Sequence, residues 1–161
     1  MADGVFNIAR GRVNELFKRV EDNDPTNSAI VVVLLRVVEA DATLQDYDDL
    51  GAILAASGNT EADFTNYARK VLDDSDISGP TVDDTNNWSG VTMPLQTWTS
   101  AGGAANNTLV KLLVCYDSDT TAGTDANIVP LTFHDYAETT DGSDLIAQPS
   151  ATGLYRAEDP A

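Results

Sequence analysis

The run AIVVVLLRVV, residues 29–38, restricts the fold more than any other part of the sequence. Nearly all of its side chains are apolar and most are β-branched, which favours a strand. A strand that is apolar on both faces has to be covered on both, so it belongs in the middle of a sheet. The run is also shorter than the ~18 apolar residues of a membrane-spanning helix. We therefore expect a globular domain with a central buried strand.

A helix is predicted over about residues 44–57. Its apolar stripe consists of Leu44, Tyr47, Leu50, Ile53 and Leu54. Thr43 is a suitable N-cap, with Asp46 three residues later, and Gly58 suits the C-cap. Residues 5–21 fit both a helix and a strand. Val13, Leu16, Phe17 and Val20 have helical spacing, whereas Phe6 and Ile8 alternate. The helical spacing favours a short helix from about Arg12.

Further strands are predicted by short apolar runs between polar turns. They cover Phe64–Leu72, Val91–Thr99, Thr108–Tyr116 and Ile128–Tyr136, with a hairpin around Asp141-Gly142. Pro130 has no N–H, so it should lie at an edge, a bulge or a strand start. This pattern predicts a mainly β (α+β) fold: an antiparallel β-sandwich or barrel-like domain with one clear helix.

The chain divides into three expected parts. Residues 1–28 form an N-terminal segment that packs on the domain or on a neighbouring molecule. Residues 29–149 form a single β-rich domain, and residues 150–161 form a C-terminal tail. A chain of 161 residues is long enough to fold around one core without a disulfide or a metal ion.

The charge is strongly negative and unevenly distributed. The chain has 26 acidic and 9 basic residues, for a net charge of −17. Residues 1–36 carry five of each sign, so the whole excess lies in residues 37–161. Such a surface repels nucleic acid and anionic membranes, which excludes both as partners. The favoured interpretation of the balanced N-terminal segment is an element with a solvated basic face. The alternative is an arm that docks on an acidic surface, such as a neighbouring copy of the protein.

The loop Asp117–Asp125, with the sequence DSDTTAGTD, is the one candidate for a metal site. Asp117, Asp119 and Asp125 offer oxygen ligands at alternate positions, as a calcium loop does. The glycine lies at position seven rather than six, and position twelve is Ile128 rather than Glu. A solvated turn without metal is therefore the favoured interpretation.

Catalytic machinery is not predicted. Cys115 and His134 lie on two strands that could pair, but a lone cysteine is commonly a buried apolar residue. Adjacent carboxylates such as Asp73-Asp74 and Asp83-Asp84 stand in polar loops and do not form the separated pair of a glycosidase. We expect a protein that is not an enzyme and has no cofactor.

Read as a whole, the chain resembles a family of small virion structural proteins of tailed bacteriophages. The similar segments, in order, are FNIARGRV, NDPTNSAIVVVLL, ADATLQDYDDLGAILA, NYARKVL, VDDTNNW, QTWTS, LLVCYDSDTTAGTDANIVPLTFHDY, DGSDLIAQ and GLYRA. The resemblance implies a capsid decoration (cement) protein on the virion surface, assembled in the bacterial host cytoplasm. It also implies two partners, the major capsid protein and the protein itself. A trimer would suit the three-fold sites of a capsid lattice.

Interface candidates come from both chain ends and from one polar loop. They are Phe6, Arg10, Arg12, Arg19, Trp88, Tyr155 and Arg156. A tail or head–tail junction component is an alternative within the same class. A carbohydrate- or host-surface-binding module is an alternative from another class, and it requires Trp88 and Trp98 as exposed stacking platforms.

Overall fold

A computed structural model describes residues 3–158. Its strands are Gly4–Val5 (β1), Ala29–Val37 (β2), Thr60–Glu61 (β3), Lys70–Leu72 (β4), Thr81–Asp83 (β5), Trp88–Val91 (β6), Gln96–Trp98 (β7), Lys111–Asp117 (β8), Val129–Asp135 (β9), Leu145–Ala147 (β10) and Tyr155–Glu158 (β11). Its α-helices are Val13–Glu21 (α1), Asp41–Leu44 (α2) and Leu50–Ala55 (α3), and 3-10 turns lie at Asn7–Ala9 and Asp125–Asn127.

The largest sheet has six strands in the order β1-β9-β8-β2-β3, with β4 also paired to β2. β2 pairs with β8 along one edge and with β3 and β4 along the other. Residues 29–35 of β2 are buried. The prediction of a central, doubly covered strand is confirmed, because β2 is paired along both edges and buried over most of its length.

Two smaller sheets complete a mainly β architecture in which the strand pairs are antiparallel. One has the order β11-β6-β5 and the other pairs β10 with β7. α1 packs on β2 and β6, and the Asn14 side-chain amide donates to the Ser89 hydroxyl at 3.0 Å. The expected α+β, β-sandwich-like fold is confirmed.

The helical interpretation of the N-terminal segment is confirmed from Val13 onward. α1 begins directly after Arg12 and buries the four apolar residues of its stripe, Val13, Leu16, Phe17 and Val20. Gly11 precedes this helix with a φ of 78°, in the left-handed region that glycine adopts without strain. The strand interpretation holds only for Gly4–Val5, which pair with β9.

The predicted helix over residues 44–57 is wrong in its extent, because only Leu50–Ala55 (α3) and Leu44, the last residue of α2, are α-helical there. Asp49 has an extended backbone, and its carboxylate accepts the Ala52 N–H at 2.7 Å, so Asp49 rather than Thr43 is the side-chain cap of α3. α3 ends at Ala55, and its C-cap is Ala56 rather than Gly58. Local hydrogen bonding by an aspartate competes with continuous helix, which explains the break.

Two predicted strands are interrupted. Only Lys70–Leu72 of the segment Phe64–Leu72 is a strand, because Asn66 has a φ of 71° and turns the chain. The segment Val91–Thr99 is divided around Pro94, which has no N–H to donate to a ladder. The strands β8 and β9 form in the predicted segments Thr108–Tyr116 and Ile128–Tyr136, with β8 running on to Asp117. Pro130 lies where the register of that pair shifts, which is a bulge position.

The predicted hairpin around Asp141-Gly142 does not form. β10 pairs with β7 instead of with the residues before Asp141. The Asp141 carboxylate accepts the Ser143 N–H at 2.9 Å, and backbone bonds join Ala101 to Gly142 and Ser143. The turn is therefore held against a distant loop rather than between two strands of one ribbon.

Both ends of the described chain pack on the domain. Phe6 is fully buried and meets the Phe133 ring edge-on, with centroids 5.2 Å apart. Gly4 permits this approach, because a Cβ there would lie 2.3 Å from Phe133 Cζ. At the other end, Tyr155–Glu158 forms β11 and pairs with β6, so residues 155–158 of the expected tail belong to a sheet.

We expect Phe6→Ala to lower the free energy of unfolding by about 3–5 kcal/mol, since it leaves a cavity beside Phe133. Denaturant unfolding followed by fluorescence measures the loss. The half-exposed Leu95 provides a control, because Leu95→Ala removes an apolar side chain from the surface and should change stability by less than about 1 kcal/mol. Equal losses in the two variants would contradict the anchoring role of Phe6.

Candidate functional site

Two adjoining clefts lie where the two ends of the described chain meet. The larger, which we call the terminal cleft, has a volume of about 630 Å³ and lies between the end of β9 and residues 147–158. The smaller, which we call the turn groove, has a volume of about 560 Å³ and lies between β1, the Arg10-Gly11 turn and α2. Asp3 and Tyr155 line both clefts. The clefts therefore form one candidate binding face.

The terminal cleft combines apolar and polar side chains. Met93, Leu112 and Ala147 are buried side chains of its lining. Burial raises the pKa of Tyr136 to about 12, and the protonated hydroxyl donates to the Ile146 carbonyl at 2.9 Å. This hydrogen bond fixes the Tyr136 side chain in the wall of the cleft.

His134 at the rim of this cleft is held between two side chains. Its Nδ1 lies 3.3 Å from an Asp3 carboxylate oxygen, and its Nε2 lies 2.9 Å from the Thr132 hydroxyl. The Asp3 carboxylate also accepts the Asp135 N–H at 2.8 Å. These bonds fasten the first described residue to the end of β9.

The turn Arg10-Gly11-Arg12 is exposed at the edge of the turn groove. Arg10 Nη2 donates to the Gln45 side-chain oxygen at 3.4 Å, a long hydrogen bond. Within residues 3–158, neither Arg10 nor Arg12 has a carboxylate at ion-pair distance. Two guanidinium groups therefore face solvent without an anionic partner in the described chain.

Most other cations are occupied within the fold. The ion pairs are Lys18 with Glu21 and Asp22, Arg19 with Glu15, Arg36 with Asp63, Arg69 with Glu61 and Asp125, Lys111 with Asp41 and Asp135, and Arg156 with Glu158. Lys70 stands over the Trp98 ring. In the part of the chain that the structure describes, the Arg10–Arg12 turn is thus an exposed basic patch without carboxylate partners on an acidic molecule.

The structure brings four of the seven interface candidates to one face. Arg10, Tyr155 and Arg156 line the clefts, and Arg12 completes the adjacent turn. Phe6 is not a surface contact, because it is buried in the core. Arg19 is half-exposed, and Glu15 accepts its Nε–H at 3.1 Å, which offsets its charge locally.

The two tryptophans do not form a pair of exposed platforms. Trp98 is buried and its indole N–H donates to the Ala68 carbonyl at 2.7 Å. Trp88 is partly buried, and the Arg156 guanidinium lies 4.0 Å from the centre of its ring. This cation–π contact covers one face of Trp88. The stacking arrangement that a carbohydrate-binding module would need is therefore not present at these two residues.

The carboxylates of the candidate calcium loop have separate partners. The Asp117 carboxylate accepts the Asp119 N–H at 3.0 Å, and the Asp119 carboxylate accepts the N–H and hydroxyl of Thr121. Asp125 is bonded to Arg69 on both oxygens. No group of three or more metal-binding side chains is found among residues 3–158. The loop is organised by its own hydrogen bonds.

Cys115 and His134 do not form a catalytic pair. Cys115 lies opposite Pro130, whereas His134 lies opposite Leu112 at the other end of the β8–β9 ladder. Cys115 is fully buried, and burial raises the pKa of its thiol to about 12. A thiol in that state is not a nucleophile near neutral pH.

Arg69 is the centre of an ion network. Its guanidinium donates to Glu61 at 2.7 and 2.8 Å and to Asp125 at 2.6 and 2.9 Å. The Tyr67 hydroxyl also donates to Glu61 at 2.8 Å. Arg69 holds the pKa of Asp125 below its usual range. The network ties the loop before β4 to the 3-10 turn before β9.

A second ion network anchors α2 to the sheet. Lys111 is fully buried, with its ammonium 2.5 Å from Asp135 and 3.0 Å from Asp41. The ammonium also lies over the Phe133 ring at 5.1 Å. No local pattern in the sequence indicates either network, because Asp41, Asp125 and Asp135 are far from their partners along the chain. Both networks hold parts of the fold together, and the carboxylates of the second also line the clefts: Asp135 the terminal cleft and Asp41 the turn groove.

Comparisons of the chain with protein-family models, with curated proteins and with solved structures find no match. No helix within residues 3–158 has the length and apolar character needed to cross a membrane.

We expect Arg69→Met to lower the free energy of unfolding by about 1–3 kcal/mol near pH 7, because it leaves two partly buried carboxylates without a cation. The folded pKa of Asp125 is lowered, so its contribution is present above the unfolded value near 3.9 and is lost as the pH falls through the folded pKa. The difference in free energy of unfolding between wild type and variant should therefore become smaller as the pH falls from about 6 towards 3. Denaturant titrations across this range measure the difference, and a difference that widens on acidification would contradict the role of the network.

We also expect the melting temperature at pH 7 to rise as KCl is increased from about 0.05 to about 1 M, which shortens the screening length from over 10 Å to about 3 Å. With 26 acidic and 9 basic residues, repulsion between carboxylates outweighs the ion pairs that salt weakens. The control is the same titration near pH 4.1, the sequence isoelectric point, where the increase should be much smaller. A melting temperature that falls with salt at pH 7 would refute the expectation.

Proposed function

We propose that this chain is a non-enzymatic virion structural protein, a decoration (cement) protein that binds the outside of a tailed-phage capsid lattice and stabilises it. The proposed partners are the major capsid protein and further copies of the chain. The contact face consists of the Arg10–Arg12 turn, the turn groove and the terminal cleft.

The exposed Arg10–Arg12 turn is the observation that carries this proposal. It presents two cations without carboxylate partners in the described chain, although the molecule as a whole has a charge of −17. Opposite charge on two surfaces increases the association rate and sets their orientation. The turn is therefore suited to an acidic patch on a protein lattice.

The chemistry of the rest of the molecule agrees with a structural role. The buried Cys115 and the distant His134 provide no nucleophile and base, and the Asp117–Asp125 loop is bonded internally. The overall negative charge opposes binding to packaged nucleic acid. A virion subunit on the capsid surface requires a stable fold and a docking face rather than a reaction site.

The direct test is binding to purified capsids that lack the protein. Arg10→Glu/Arg12→Glu should reduce the bound copies per particle at least tenfold at low salt, because it replaces attraction by repulsion. Lys18→Glu/Arg19→Glu is the matched control, since it changes the net charge by the same amount on the exposed face of α1. The control should bind like wild type. Quantitative gel densitometry of sedimented particles measures occupancy.

Three results would count against the proposal. Equal binding by both double variants and wild type would remove the turn as the contact. Absence of wild-type binding to any capsid preparation would remove the lattice as partner. A small fixed number of copies at one vertex, rather than many over the capsid faces, would favour a tail or head–tail junction component instead.

A further inference from the structure

The strand β11 lies at an open edge of the three-stranded sheet β11-β6-β5. One side of β11 pairs with β6, with Arg156 opposite Gly90 and Glu158 opposite Trp88. The other side has no strand partner within residues 3–158, and the terminal cleft lies beside it. An edge of this kind presents a row of backbone N–H and C=O groups to which another strand can add.

The side chains of β11 have a symmetric arrangement of opposite charges. Arg156 and Glu158 flank Ala157 and, being two residues apart on a strand, point to the same face of the sheet. Ala157 is exposed and small. If two such strands run antiparallel about a twofold axis at Ala157, each Arg156 lies directly opposite Glu158 of the other copy. Opposite charges at directly facing positions stabilise a strand pair.

We propose that β11 pairs with β11 of a second copy in this antiparallel register. Arg156 then faces Glu158 of the second copy on both sides of the axis, and Ala157 faces Ala157. The two three-stranded sheets join into one six-stranded sheet across the dimer. Because the same patch is used by both molecules, the contact is closed and stops at two copies.

The partial bonding of Arg156 in the single chain agrees with this pairing. Its Nη1 lies 3.9 Å from Glu158 of the same strand, and its Nε is buried without a hydrogen-bond partner within the described residues. Gly90, opposite Arg156 on β6, has no side chain to compete for the space above the strand. The Arg156 side chain is 31% exposed, so its Nη groups, and not the buried Nε, are the donors that another carboxylate can reach from the open edge.

The other open edges do not have this complementarity. β1 and β3 have only two residues each. The registers of β4, β7 and β10 about their central residues would face Lys70 with Leu72, Gln96 with Trp98 and Leu145 with Ala147. β5 about Val82 would face Thr81 with Asp83, whose carboxylate is bonded to the turn at Thr85 and Asn86. Among the edge strands within residues 3–158, β11 is the longest. It carries a positive and a negative side chain at the two positions that a twofold axis at Ala157 places opposite each other.

This dimer goes beyond the proposed function and does not depend on it, since it forms without a lattice. It is a twofold unit rather than the trimer that the resemblance to capsid proteins suggests.

Each copy carries a charge of −17, so the two molecules of the dimer repel each other at long range. Salt screens that repulsion more than it weakens pairs in contact, and we therefore expect the dimer fraction to rise with salt.

The first experiment measures the mass of the full-length protein in solution by sedimentation or light scattering, over a range of concentrations at about 0.5 M KCl. Wild type should show a monomer–dimer equilibrium. Arg156→Glu and Glu158→Arg should each weaken dimerisation about tenfold or more, because each places like charges opposite one another. Lys18→Glu changes the net charge as Arg156→Glu does, away from β11, and should leave the equilibrium unchanged.

Charge exchange distinguishes a specific pairing from a damaged fold. The double variant Arg156→Glu/Glu158→Arg keeps the net charge and should restore dimerisation. An equimolar mixture of the two single variants should form a heterodimer, because each Glu then faces an Arg of the other chain. Circular dichroism and the melting temperature of each variant check the fold, since Arg156→Glu also removes the contact with Trp88.

Crosslinking tests the register itself. Ala157→Cys places two thiols at the twofold axis, and we expect a disulfide-linked dimer on a non-reducing gel after mild oxidation. Thr152→Cys, at an exposed position outside β11, is the control. It should form no disulfide-linked dimer and should run as a monomer on the same gel. The native Cys115 does not interfere, because it is buried.

The proposal is overturned if wild type stays monomeric at every concentration and salt, or if its dimer is unaffected by the charge variants. A dimer that is insensitive to Arg156 and Glu158 would point to another edge, such as β5. Equal crosslinking of the two cysteine variants would also overturn the register. None of these results changes the interpretation of capsid binding, which is measured with the Arg10–Arg12 variants.

Discussion

The pairing of β2 with β8 is the interaction on which the rest of the structure depends. The two strands run antiparallel over seven residue pairs, from Ala29 opposite Asp117 to Leu35 opposite Lys111. An apolar strand of this length is stable only if both faces are covered and both edges are hydrogen-bonded. α1 supplies part of the cover, and β9, β3 and β4 extend the sheet on either side. The placement of the chain ends follows from this sheet, because β1 adds to β9 and Phe6 packs on Phe133.

The cations are distributed unevenly over the molecule. The chain has 9 basic residues for 26 acidic ones, and most of them are used inside the fold. Arg69 and Lys111 each bind two carboxylates and fasten loops and α2 to the sheets. The Arg10–Arg12 turn is left exposed beside the clefts, and Arg156 stands at an open strand edge. In the two proposals, the Arg10–Arg12 turn contacts the lattice, and the edge of β11 beside the terminal cleft contacts a second copy.

The elements that were predictable are those with a strong local pattern. The β-branched run of β2, the helical spacing of α1 and the apolar runs of β8 and β9 each indicate one structure. The break between α2 and α3 was not predictable, because Asp49 rather than the apolar stripe decides where the helix starts. The candidate face was predicted only in part. Arg10, Arg12, Tyr155 and Arg156 were identified as exposed charges and end residues, whereas Phe6 proved to be core.

The sequence by itself determined the central strand, the mainly β composition and the excess of negative charge after residue 36. These properties depend on residue type and local spacing, which are visible along the chain. Tertiary structure alone decided which carboxylate meets which cation, where Trp88 and Trp98 lie, and that β11 closes on β6 and leaves one edge open. Such contacts join residues far apart in sequence, as Arg69 and Asp125 are, and their geometry arises only when the sheets pack.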